Sequence, residues 1–178
     1  RRVQNLMGAG FSTLYGQTEH CPVITQHHLS DTIDDICNTA GQPVAQTEVS
    51  IRSVDDNSAV AVGKDGEICA RGPCVMLEYN DNPKATSETV DEGGWLHTGD
   101  LGRMDARGYV TVTGRVKEMI IRGGENHFPA EIENCLLEHA GVAEVAVVGL
   151  PDPKWGGVIG AFIRGTGPLD KAALHAHC

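Results

Sequence analysis

From about Thr39 to Arg115, short apolar runs alternate with turn residues. EVSIRSV is followed by DDNS, then AVAVGKDG, then EICARG, which is the pattern of strands and hairpins. Asp65-Gly66 predicts a turn, and GYVTVTGR at Gly108–Arg115 predicts a further strand, so this stretch reads as one compact β-rich unit. Residues 1–37 have no regular period beyond a turn-like Gly8-Ala9-Gly10. After Arg115 the pattern changes. EMIIRGGENHF reads as a strand entering a glycine turn, and Pro129 then opens a helix, since proline suits the first helical turn. Glu131 and Glu133 favour the dipole in that turn, and Ile132, Leu136 and Ala140 line one apolar face. EVAVVGL and VIGAFIR predict two more strands, and Pro168 starts a second helix that runs to Cys178. The expected fold class is α+β, with a boundary at Val116–Lys117: residues 1–116 form the β-rich part and residues 117–178 a small lobe.

Composition narrows the classes. A chain of 178 residues suffices for one sizeable core or two small ones. No apolar run reaches the roughly 18 residues of a membrane-spanning helix, and Arg1-Arg2 opens no targeting signature. A net charge of -10 would repel a nucleic-acid backbone, although Arg115, Lys117 and Arg122 lie close together. The cysteines (Cys21, Cys37, Cys69, Cys74, Cys135, Cys178) form no CxxC pair, which suits reduced, partly buried thiols in a cytosolic protein better than disulfides or a zinc site. The pair His27-His28 and the run His175–His177 lack a third ligand at metal spacing and read as solvated.

Three separated motifs carry the chemistry. YGQTE at Tyr15–Glu19 offers a flat ring, a hydroxyl and a hard oxygen ligand. GGWLHTGD at Gly93–Asp100 ends in a carboxylate on a tight turn. GRVKEMIIRGGENHFPAEIE at Gly114–Glu133 supplies an arginine, a short basic stretch and two adjacent glycines. Singly, each has a plain structural reading: a tyrosine packed at a turn, an aspartate capping its own backbone, a tight glycine turn.

In this order the motifs closely resemble the adenylate-forming (AMP-binding) superfamily, and within it the acyl-CoA synthetase or fatty-acid–CoA ligase branch. The resemblance runs from Tyr15 to about Arg164. It implies a β-rich, distorted barrel-like end of a large AMP-binding domain, followed by a small, truncated α+β C-terminal lobe. It also implies a two-step reaction in which a carboxylic acid and ATP give acyl-AMP, which then passes its acyl group to CoA. ATP, Mg2+ and CoA are the implied cofactors and a small carboxylic acid the substrate. Under this resemblance Tyr15 stacks on adenine, with Gly16 beside it in the nucleotide loop, for about 1–3 kcal/mol. Asp100 accepts the two ribose hydroxyls with Arg115 beside it, Thr18 donates to a phosphoryl oxygen and Glu19 holds magnesium. Lys117 corresponds to the hinge about which the family's small lobe rotates between the two steps. Gly123-Gly124 resembles the glycine loop lining the pantetheine channel, where a side chain would not fit.

Gln17 and Trp95-Leu96-His97 differ from the proline and the tyrosine-containing stretch usual in peptide-synthetase adenylation domains, which favours a CoA-dependent ligase. A luciferase-type oxygenase, a carrier-protein-loading domain and a non-catalytic AMP-binding remnant are the other readings. The resemblance further implies a glycine- and hydroxyl-rich phosphate loop before Tyr15 and a catalytic lysine near the C-terminus. Neither occurs in this chain, where Lys154 and Lys171 lie in other contexts, so an interior slice inactive on its own is expected.

Overall fold

A computed structural model describes Leu6 and residues 8–177. The chain divides into two compact units, Arg1–Val112 and Thr113–Cys178. The predicted turn at Gly8-Ala9-Gly10 is irregular chain, with Gly8 at φ +60°.

In the first unit, β1 (Leu14–Tyr15), β2 (Thr25–Gln26) and β3 (Gln42–Pro43) form a small antiparallel sheet in sequential order. A short helix α1 (Ile33–Asn38) precedes β3, with Thr32 capping it by accepting from the Asp35 amide. Neither this sheet nor α1 was expected, because two-residue strands and a six-residue helix are too short to show a period. Buried polar bonds hold this segment. His27, only 3% exposed, is not the solvated residue its sequence context suggests. Its Nδ1 lies 2.6 Å from Thr13 Oγ1 and its Nε2 2.9 Å from Thr39 Oγ1, so one ring joins the segments on both sides of α1.

The main sheet has the order β4 (Glu48–Arg52), β5 (Gly66–Arg71), β6 (Leu96–Met104), β7 (Val110–Arg115). It is an open sheet; no closed barrel forms among the described residues. Val49 and Ile51 alternate with polar residues on β4, whereas β5 is buried along most of its length, as a central strand should be. Ile51, Ile68 and Val110 form a core against which Tyr15, Val49, Val60 and Met104 pack. Each such burial contributes about 1.5–3 kcal/mol.

AVAVGKDG is not a strand: only Ala59 bridges to Arg52, and the turn falls at Val62-Gly63 rather than Asp65-Gly66. Gly66 instead opens β5, where a side chain would meet the Arg52 carbonyl at 2.4 Å. Close packing of β5 on β4 has outweighed the turn preference of Asp-Gly. A further helix, α2 (Pro83–Thr89), capped by Asn82, precedes β6.

The second unit holds the hairpin β8 (Ile120–Arg122) and β9 (Glu125–His127), then α3 (Pro129–Leu137), the long hairpin β10 (Val142–Asp152) and β11 (Gly156–Gly165), and α4 (Lys171–His177). Pro129 occupies the first turn of α3 with Glu131, as expected. Glu133 does different work: its Oε1 accepts the Val147 amide at 2.8 Å and fastens α3 to β10. Ile132 and Leu136 face the core of Ile120, Val142, Val147 and Leu174, but Ala140 lies beyond the helix end and is exposed. The last helix begins at Lys171, three residues after Pro168, with Leu174 as its buried anchor. No described helix is long and apolar enough to cross a membrane.

Candidate functional site

The YGQTE segment leaves β1, crosses Gly16 and turns through a single 3-10 helix, Thr18–His20, closed by Cys21 in the left-handed region. Gly16 is fixed by crowding, since an added Cβ would lie 1.8 Å from the Pro22 carbonyl oxygen. The Ile24 amide donates to the Tyr15 carbonyl at 2.8 Å, so the loop folds back on its own strand. Thr18 is thereby left exposed and Glu19 half-buried.

Asp100 does not sit on a tight turn, as GGWLHTGD suggests, but inside β6. Glu67 pairs with Leu101 and Cys69 with His97, so two residues of β5 oppose a longer stretch of β6 and the surplus bulges out. Thr98 Oγ1 closes the bulge by donating to the Ile68 carbonyl at 2.6 Å and accepting the Asp100 amide at 3.1 Å. Glu67 Oε1 accepts the Gly99 amide at 2.9 Å. A sheet irregularity next to a functional group is a common way of aiming a side chain.

Two of the three motifs meet here. The Tyr15 hydroxyl donates to Asp100 Oδ2 at 2.9 Å across 85 positions of sequence. Burial, and then the adjacent Asp100 carboxylate, hold the Tyr15 phenol above its usual range, so it stays a protonated donor. Its ring packs against the Ile51, Ile68 and Val110 core. Glu19 has a comparable support in Tyr79, whose hydroxyl donates to Oε1 at 2.7 Å and is itself raised in pKa, chiefly by that bond. The Met76 amide donates to the Glu19 carbonyl at 2.8 Å, which fixes the backbone as well. Tyr79, Thr98 and Glu67 were missed in the sequence, because pairings of 60 and of about 30 positions leave no local signal.

In the second unit Arg115 is the exposed last residue of β7, and Lys117 is exposed within a single 3-10 turn, Val116–Glu118. Gly123 and Gly124 form the two-residue link of the β8–β9 hairpin, with φ of +61° and +89°. Positive φ at both positions is what such a hairpin needs. Gly123 also lies under Trp155, where a Cβ would sit 3.0 Å from the ring, while Gly124 faces open space.

The donor set on the first unit suits a nucleotide and its metal. It combines an aromatic face, a carboxylate that accepts from Tyr15 and whose backbone is pinned through Thr98 and Glu67, an exposed hydroxyl, and a second carboxylate with one oxygen engaged by Tyr79. Comparison with known proteins agrees with the class. Residues 1–80 match the AMP-binding enzyme family and residues 131–178 the AMP-binding enzyme C-terminal domain. The chain belongs to this adenylate-forming family. It is 46% identical over 151 residues to a methyl-dioxo-octahydroindenyl-propanoyl:CoA ligase of Rhodococcus jostii, which covers 85% of this chain and 27% of the relative. It is 41% identical over 150 residues to the mitochondrial medium-chain acyl-CoA ligase ACSF2 of Homo sapiens, covering 84% of this chain and 24% of that protein. Among solved structures, o-succinylbenzoate CoA synthetase of Bacillus subtilis, in complex with its acyl-adenylate intermediate, matches 99% of this chain and 36% of its own. That match has 34% identity and a TM-score of 0.82. The chain thus spans about a quarter of the length of the curated relatives it matches.

Proposed function

We propose that the protein is an AMP-forming acid–thiol ligase of the acyl-CoA synthetase kind. A carboxylate oxygen attacks the α-phosphorus of ATP, the acyl–phosphate bond forms and pyrophosphate leaves. A CoA thiol then attacks the acyl carbonyl, the thioester bond forms and AMP leaves with the electron pair of the broken bond. The observation that carries this reading is the Tyr15–Asp100 hydrogen bond, which joins the first two motifs at one place.

In this reading the Tyr15 ring receives adenine beside Gly16, Asp100 accepts the ribose hydroxyls, and Thr18 donates to a phosphoryl oxygen. Glu19 fits magnesium through the carboxylate oxygen that Tyr79 does not occupy. Bound magnesium would offset phosphate charge during the first step. From the second unit we assign Arg115 to the nucleotide, Lys117 to the hinge, and Gly123-Gly124 to the pantetheine channel. The small size of those two glycines is compatible with a narrow thiol path.

The test is AMP release by the protein expressed from its complete gene, with a panel of carboxylic acids, with and without CoA. Turnover that needs both acid and CoA, with acyl-CoA as product, supports the ligase. Nucleotide binding without turnover on any acid would overturn it in favour of a binding remnant or a carrier-protein acceptor.

A further inference from the structure

The first unit holds a second cluster of chemistry-bearing groups that the proposed reaction does not use as ligands. Glu67 and Cys69 alternate along β5, so both side chains leave the same face of the strand. His97 is the register partner of Cys69 on β6 and joins them on that face. The Cys69 Sγ, His97 Nδ1 and a Glu67 carboxylate oxygen all lie within 4.8 Å of one another. We propose that Glu67, Cys69 and His97 form a three-ligand site for a borderline divalent cation of the zinc class, with a fourth position left to water.

Distances support the assignment. A tetrahedral zinc, with bonds of about 2.3 Å to sulfur and about 2.05 Å to nitrogen, sets its S···N edge near 3.6 Å. The observed Sγ–Nδ1 separation is 3.6 Å. The Nδ1–Oε2 separation is 2.7 Å, a hydrogen-bond length, and would have to open by about 0.7 Å to span a shared metal. Glu67 is the ligand able to make that move, because its flexible side chain needs only to withdraw Oε2.

Asp91 Oδ2, held by Asn57 at 3.2 Å, lies 3.8 Å from His97 Nε2, so the carboxylate adds charge near the ring without a hydrogen bond to it. The other oxygen of Glu67 is anchored by the Gly99 amide, which orients the ligand. Asp91 is itself fixed by the Trp95 amide at 2.9 Å. Cys69 is fully buried, whereas the His97 and Glu67 side chains keep 22% and 14% of their exposure, so a cation enters past them. Ligands on paired strands are more rigid than ligands on loops. The cross-strand register also explains why no CxxC or HxxxH spacing announces the site.

Cobalt(II) titration of the purified chain, read by absorbance, tests this without any reference to adenylation. A near-ultraviolet thiolate-to-cobalt band with four-coordinate visible bands, both bleached by zinc, is expected. The band should persist in a variant with serine at positions 21, 37, 74, 135 and 178, where Cys69 is the sole cysteine. Cys69→Ser should abolish it, and Asp91→Asn should weaken cobalt binding about tenfold, as outer-shell changes do. Because Cys69→Ser buries a hydroxyl, the sole-cysteine variant decides the matter even if that protein does not fold. No band in the folded sole-cysteine variant at millimolar cobalt overturns the site, as does a band that survives Cys69→Ser.

Discussion

Replacing Tyr15 by phenylalanine removes one oxygen and keeps the ring, which separates its two proposed roles. The hydroxyl donates to a carboxylate at 2.9 Å from a half-buried position. A hydrogen bond to a charged partner contributes about 1.5–3 kcal/mol. Asp100 keeps its backbone support from Thr98, and water can reach the half-buried carboxylate, so the lower end, about 1.5 kcal/mol of folding stability, is expected. AMP affinity should fall by at most about tenfold, because stacking survives and only the aim of Asp100 is relaxed. Tyr15→Ala should lose the stack as well, for a further ~1–3 kcal/mol of binding. The decisive assay is a double-mutant cycle with Asp100→Ala, scored both by urea denaturation and by calorimetric AMP titration. A coupling of about 1–2 kcal/mol in stability is expected, since neighbours in one network are not additive. Additivity within about 0.5 kcal/mol would show that the two side chains do not support each other, and would remove the observation on which the proposed function rests.

Other expectations follow from single contacts. Gly16→Ala places a methyl 1.8 Å from the Pro22 carbonyl, a backbone atom that cannot rotate away, and should cost about 3 kcal/mol or more by thermal denaturation. Glu133→Ala leaves the Val147 amide without its acceptor and should lower stability by about 1–2 kcal/mol by thermal denaturation. The Cys69 thiol is pushed up from 9.0 to about 12, mainly by burial and then by the Glu67 charge. Its contribution is therefore intact below about pH 9 and is lost as pH rises toward 12, because the unfolded chain ionises first. In metal-free buffer, the stability advantage of wild type over Cys69→Ala should shrink by about 2 kcal/mol between pH ~8.5 and ~10.5; a constant difference refutes the buried neutral thiol.

The sequence showed most where a local rule coincided with a packing need. Pro129 set the start of α3, and Ile132 and Leu136 marked its buried side. EVSIR alternates because β4 has one face on the core. Legibility failed where tertiary contact overrode local preference. Asp65-Gly66 looks like a hairpin turn, yet Gly66 is needed where β5 crosses close to Arg52. His27 looks solvated, yet its ring ties Thr13 to Thr39 through the interior. Of the candidate site, the motif residues were visible as residues, and their supports were not. Tyr79 under Glu19 and Glu67 under Gly99 are long-range pairings that no single-segment pattern encodes.

Those supports explain how a bulge can serve as a binding element. The surplus residues of β6 would be free to move if only the strand ladder held them, because the register breaks between Glu67 and Cys69. Instead Thr98 pins the bulge to the Ile68 carbonyl, Glu67 pins Gly99, and the Tyr15 hydroxyl pins the carboxylate itself. Two restraints come from β5 and one from β1, so Asp100 is held from two segments before any ligand arrives. A ribose that binds there need not order the aspartate, which keeps more of the contact energy for affinity. Glu67 is the one residue shared by this support and by the Cys69–His97 cluster, since its two oxygens face Gly99 and His97 separately. Withdrawing Oε2 toward a cation while Oε1 stays on Gly99 leaves the bulge held. Metal binding at Cys69 and His97 is therefore expected to alter AMP affinity by less than about threefold, whereas Glu67→Ala, which frees Gly99 outright, should weaken it by about tenfold. Calorimetric AMP titrations with and without zinc, on wild type and on Glu67→Ala, distinguish the two. A larger effect from zinc than from Glu67→Ala would mean that the carboxylate moves as a whole and that the bulge depends on both oxygens together.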